Sequence, residues 1–221
     1  MIGKSVSRNS IVLGIFAVIT TGMIVLTANL TKGKIAEAQE NALKQKLFEV
    51  MPKSLIGNDL LKDQVQLDAD HLLGSKHTRA AYIARKDGNA SGVIMQVTAP
   101  EGYGGSINLL VGINTNGDIT GVRVVPPLYE TPGLGDNILL KKSPWILGFD
   151  GKSLANTSTK EWHVKKDGGE FDSFAGATIT PRAVVDAVHK ALLYFNQHKQ
   201  EILKANGVAL ASPREDDQHG G

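Results

Sequence analysis

The 221-residue chain contains no cysteine. Disulfides, thiolate-held iron–sulfur clusters and cysteine nucleophiles are therefore excluded, and redox chemistry would need an imported organic cofactor or a metal held by other ligands. It also lacks an excess of charge of one sign. With 24 basic and 22 acidic residues, the formal net charge is +2, which gives no broad field to attract nucleic acid, and no nucleic-acid partner is expected. The six histidines, His71, His77, His163, His189, His198 and His219, show no close pairing with a carboxylate of the kind that holds zinc. No metal ligand and no catalytic residue is assigned, and no internal repeat is visible.

The most distinctive feature present is the uncharged run Asn9 to Thr31, rich in Ile, Val, Leu, Ala and Gly. A helix of this length reaches roughly 35 Å, enough to cross a hydrocarbon core of about 30 Å. The run exceeds the roughly 7 to 15 apolar residues of a signal peptide and ends without a small-x-small cleavage site, so a retained anchor over 10–30 in a lipid bilayer is expected. Lys4 and Arg8 precede it, which by the positive-inside tendency puts residues 1–9 in the cytoplasm and the remaining mass outside. Lys32 and Lys34 pull the other way.

Beyond the span, Ile35, Ala38, Ala42, Leu43, Leu47 and Val50 recur at helical spacing, predicting an amphipathic linker helix over 31–51. Pro52 stops it, because proline lacks an amide hydrogen and disfavours helix in the residue before it. A folded domain is expected over 52–204, with the order of its first part, to about Ser75, left open. Ala80–Arg85 and Ala90–Thr98 flank an Asp87-Gly88 turn, and Ser106–Ile113 and Ile119–Val125 flank a second turn at Asn114–Asp118. These predict consecutive antiparallel strands. Val184, Val188, Ala191, Leu192 and Phe195 share one helical face, and Thr180-Pro181 reads as the start of that helix, with Thr180 as its N-cap and Pro181 first inside. The tail, 205–221, is polar and expected to be mobile. The fold class is α+β: an N-terminal transmembrane helix, then an antiparallel-sheet domain with flanking helices.

One loop has the outline of an anion site, and a second stands out only for its backbone. In Asp172-Ser173-Phe174-Ala175-Gly176-Ala177-Thr178-Ile179-Thr180-Pro181, small residues and two hydroxyls stand directly before a helix N-terminus, where unpaired amides and the helix dipole favour an anion. An ordinary capped loop with Thr178 merely exposed is the competing reading. In Glu130-Thr131-Pro132-Gly133-Leu134-Gly135-Asp136, one proline and two glycines enforce a non-repetitive loop.

Asp172-x-x-Ala175-Gly176-Ala177-Thr178 resembles the flavinylation motif Asp-x-x-Ser/Thr-Gly-Ala-Thr of FMN-binding domains. Such domains occur in the G component of bacterial Rnf (Rsx) complexes and in the C component of the sodium-translocating NADH:quinone reductase. The resemblance to the Rnf G component is the closer. It extends through Tyr103–Ile107, Leu109–Gly112, Glu130–Asp136, Val164–Asp172 and Thr180–Val185. It implies covalent FMN, joined through its phosphate to the Thr178 oxygen by a magnesium-dependent flavin transferase that uses FAD as donor. Asp172, Ala175, Gly176, Ala177 and Thr180 would surround the attachment, with Asp172 organising the motif. Glu130, Thr131, Pro132, Gly133, Leu134 and Gly135 would border the flavin ring. The resemblance further implies an electron-transfer role, shared with other membrane and redox subunits of an assembly that couples ferredoxin and NAD to an ion gradient. The expected location is a bacterial inner membrane, single-pass, with the FMN domain on the periplasmic side. Ala175 departs from the pattern, removing a hydroxyl. A pilin-like protein is an alternative architecture, but a pilin expects a glutamate near the start of its apolar helix and Asn9–Thr31 has no acidic residue. A membrane-tethered module without flavin is the other alternative.

Overall fold

The computed structural model describes residues 2–205, with side chains from Asn9 onward. The side chains of Lys4 and Arg8 lie outside the described residues, as does the expected mobile tail apart from Ala205. The chain divides into two compact units, the first ending at Leu43 and the second beginning at Lys44. The first consists of helix: α1 runs without interruption over Ile2–Val50. Within it lies a stretch long and apolar enough to cross a membrane, with none of its apolar window buried. Along the stripe expected to be amphipathic, Ile35, Ala38 and Ala42 are exposed, and burial begins at Leu47.

The second unit is built on five strands, β1 (Gln64–Leu67), β2 (Arg79–Lys86), β3 (Asn89–Ala99), β4 (Ile107–Asn114) and β5 (Ile119–Val125). They form an antiparallel meander in chain order. Both expected hairpins are present. The first turns on Asp87 and Gly88, with φ of 51° and 81°, the pair of left-handed residues that a two-residue turn matching the strand twist requires. Strand β1 escapes the sequence reading because its alternation lasts only four residues.

Alternation splits the sheet's side chains between two faces. One face, with Ile83, Val93, Met95, Leu109, Val111 and Val122, joins the main core together with α2 (Ile179–Lys204). The expected stripe Val184, Val188, Ala191, Leu192 and Phe195 is entirely buried there, each large side chain contributing about 1.5–3 kcal/mol of apolar burial. On the other face Tyr82, Ile94 and Leu110 are buried, and Val50 at the end of α1 and Met51 just beyond it close over the sheet. The Thr120 hydroxyl donates to the Val50 carbonyl at 2.8 Å, tying β5 to the end of that helix. Between the sheet and the start of α2 run the loops that carry the site.

Candidate functional site

The helix α2 begins two residues earlier than the Thr-Pro signature suggests. Thr178 is the cap residue, in right-handed helical conformation, and the first intrahelical bond runs from Arg182 N–H to the Thr178 carbonyl at 3.2 Å. Thr180 sits fully buried in the first turn, and its hydroxyl, free of any capping duty, donates to Glu130 Oε2 at 2.5 Å. Pro181 is therefore the third helical residue. Its missing amide hydrogen still costs nothing, because the first four amides of a helix have no internal partner.

The consequence is an open helix head. Among the described residues the amides of Thr178, Ile179 and Thr180 have no acceptor, and the Thr178 hydroxyl makes no hydrogen bond. These amides and the positive end of the helix dipole favour an anion at this place. The preceding loop is held from below. Gly176 adopts φ of 77°, Ala177 N–H donates to the Phe174 carbonyl at 3.0 Å, and the Trp145 indole N–H donates to the Asp172 carbonyl at 2.8 Å. Trp145 also packs edge-on against Phe174, with ring centres 5.4 Å apart.

Beside the helix head is a pocket of about 260 Å³. It collects Glu130, Thr131, Leu134 and Gly135 from one predicted loop and Gly176, Ala177, Thr178 and Thr180 from the other, two segments about fifty residues apart in sequence. Pro132 and Gly133 lie in the first loop without lining the pocket. Asp172 and Ala175 are likewise off its wall: both are exposed, and Asp172 pairs with Lys165 at 2.8 Å. At Gly133 glycine is required for its conformation and not for space. A Cβ there would meet nothing within 4 Å, whereas its φ of 79° disfavours any other residue. Sequence reasoning missed two wall residues. Tyr103 stands in Tyr103–Ile107, a segment that carried the family resemblance without a site role, whereas Ile179, an apolar residue exposed at a helix start, gave no signal.

Glu130 lines the pocket and also ties its walls together. Its carboxylate is buried, with no cation in salt-bridge range among the described residues, and both oxygens are occupied: Oε1 by the Gly104 N–H at 3.0 Å and Oε2 by Thr180. A larger cleft of about 550 Å³ lies across Ile179, lined by Trp162, His189, Arg182 and Lys190. Its cations are already engaged, Arg182 with Asp167 at 2.7 Å and Lys190 with Asp186 at 2.7 Å. Burial holds the His189 imidazole below its ordinary pKa, and the ring stacks on Trp162 at 5.3 Å.

The smaller pocket fits a flavin phosphate better. Its lining combines unpaired amides and the Thr178 hydroxyl with apolar and aromatic surface from Tyr103, Leu134 and Ile179 suited to a flat ring.

Comparison with known proteins agrees with this geometry. Residues 102–193 match the FMN-binding domain model and residues 1–50 match the RnfG N-terminal region. The G component of the ion-translocating oxidoreductase complex of Pseudomonas aeruginosa is 52% identical over 206 residues, 93% of this chain and 96% of that protein. The corresponding protein of Vibrio cholerae is 44% identical over 90% of this chain and 94% of its own length, and that of Shewanella piezotolerans 41% over 91% and 95%. With likeness running from the N-terminal helix through the pocket loops into α2, the chain belongs to the RnfG family, the G components of Rnf complexes, and contains its FMN-binding domain.

Proposed function

We propose that this chain carries FMN through a phosphoester to Thr178 Oγ1 and serves as a membrane-anchored electron carrier in an Rnf-type complex. That complex would couple electron transfer between ferredoxin and NAD to ion translocation. The observation that carries this reading is the Thr178 hydroxyl, without a hydrogen-bond partner among the described residues, at the head of a helix whose first amides are also unpaired. Attachment needs a magnesium-dependent flavin transferase with FAD as donor. The Thr178 oxygen attacks the FMN-side phosphorus, the bond from that phosphorus to the oxygen bridging to AMP breaks, AMP departs with that oxygen, and the hydroxyl proton passes to a base of the transferase. The amides of Ile179 and Thr180, without an acceptor among the described residues, would hold the phosphate. Tyr103, Leu134 and Ile179, which line the pocket, would bound the ring. Bound FMN supplies acceptance and donation of electrons. The other proteins of the complex supply its donor and acceptor, and anchoring raises its effective concentration beside them.

The test is co-expression of the full chain with a flavin transferase, followed by in-gel fluorescence after denaturation and intact mass for one added FMN moiety. Wild type should be labelled, Thr178→Ala unlabelled, and Thr178→Ser labelled less, having the hydroxyl without the methyl that restricts its rotamer. A labelled Thr178→Ala protein refutes the attachment site. An unlabelled wild type favours the flavin-free module, the reading to which Ala175 lends weight. The flavin domain is proposed to face the periplasm, which protease added to spheroplasts checks by digesting residues beyond the anchor.

A further inference from the structure

We infer that Glu130 is a positioning residue that holds the acceptor threonine through Thr180, an assignment that rests on the attachment reading above. The carboxylate links three segments that the sheet and α2 bring together. Glu130 follows β5, its Oε1 accepts the N–H of Gly104 in the β3–β4 loop at 3.0 Å, and its Oε2 accepts the Thr180 hydroxyl in the first turn of α2 at 2.5 Å. Both side chains are buried, Glu130 at 6% exposure and Thr180 at 0%. Burying a carboxylate with no cation within ion-pair distance among the described residues is costly, and neutral donors at both oxygens are what offset it.

Two glycines press against the same carboxylate. A Cβ at Gly102 would stand 2.8 Å from Oε1, and one at Gly135 would overlap Oε2 and stand 2.9 Å from the Thr180 hydroxyl. Only glycine at these two positions leaves space for the carboxylate where it stands. Thr180 is two residues from Thr178 in the first turn of α2, so anchoring Thr180 fixes the backbone from which the Thr178 hydroxyl projects. Glu130 thus acts on the phosphoryl transfer without touching the flavin phosphate, through the geometry of the attacking group.

The experiment measures the rate of FMN incorporation into the full chain by purified transferase with FAD and magnesium, alongside thermal unfolding of each variant. Thr180→Val and Glu130→Ala should each slow labelling by about tenfold or more. The double variant should be no slower than the worse single one, because both remove one interaction. Thr180→Ser and Glu130→Gln, which preserve a hydrogen-bonding group at each end, should recover most of the rate. If Thr180→Val or Glu130→Ala fails to fold, these two conservative variants decide: a large loss in either overturns the inference. So does wild-type labelling by folded Thr180→Val, or multiplied losses in the double variant. Either result leaves the attachment reading intact so long as wild type is labelled and Thr178→Ala is not.

Discussion

The indole N–H of Trp145 donates to the backbone carbonyl of Asp172 at 2.8 Å, joining a short helical turn at Pro144–Phe149 to the loop that precedes α2. The bond explains how an exposed loop of small residues keeps one shape. Trp145→Phe retains an aromatic ring against Phe174 and loses the donor. It should cost about 1 kcal/mol and slow FMN incorporation without abolishing it. Incorporation kinetics together with thermal unfolding check this, and a wild-type rate would mean that the loop needs no such support.

A second prediction concerns the end of α1. A Cβ at Gly121 would lie 2.8 Å from the Val50 carbonyl oxygen and 3.0 Å from its Cα, and backbone on both sides cannot yield as a side chain can. Gly121→Ala should destabilise the second unit by about 1–3 kcal/mol. Thermal unfolding of the full chain in detergent is the measurement, and an unchanged midpoint would show that the contact relaxes freely.

At Gly133 the expected effect comes from the backbone. With φ of 79° and open space around it, Gly133→Ala should cost about 1–2 kcal/mol, while Gly133→Asn, more at ease in the left-handed region, should cost less. The strain falls on the loop carrying Leu134, so the flavin absorption band should shift while attachment persists. Equal stability of the two variants, or an unchanged spectrum, would contradict this.

The last prediction is a pH dependence. Burial lowers the His189 pKa in the folded state, with nearby His163 and Lys190 acting in the same direction and Asp186 opposing them. The unfolded chain therefore takes up a proton at His189 before the folded chain does, as pH falls through about 6.5. Its contribution to stability is unaffected above that pH and turns increasingly unfavourable below it. Thermal midpoints between pH 8 and pH 5.5 should fall less steeply in His189→Gln than in wild type. Parallel curves would remove His189 from this role.

Much of this molecule was legible because its signals are local. The uncharged run Asn9–Thr31, the Asp87-Gly88 turn and the one-sided stripe from Val184 to Phe195 each depend on spacing within a few residues, and each predicted element formed. The loop before α2 was picked out by its motif. Sequence alone also set the absence of cysteine chemistry and the near balance of charge. Tertiary structure decided what those residues touch. Thr180 looked like a cap because Thr-Pro is a local signature, but a carboxylate fifty residues earlier claimed its hydroxyl and left Thr178 at the head of α2. Strand β1 is too short to announce itself and exists because β2 offers it a paired edge. Tyr103 and Ile179 joined the pocket, and Asp172 and Ala175 stayed off its wall, through the packing of loops distant in sequence. Periodicity and motif fix elements because they act within a turn or a strand. Pocket membership and hydrogen-bond choice depend on which loops the core brings together.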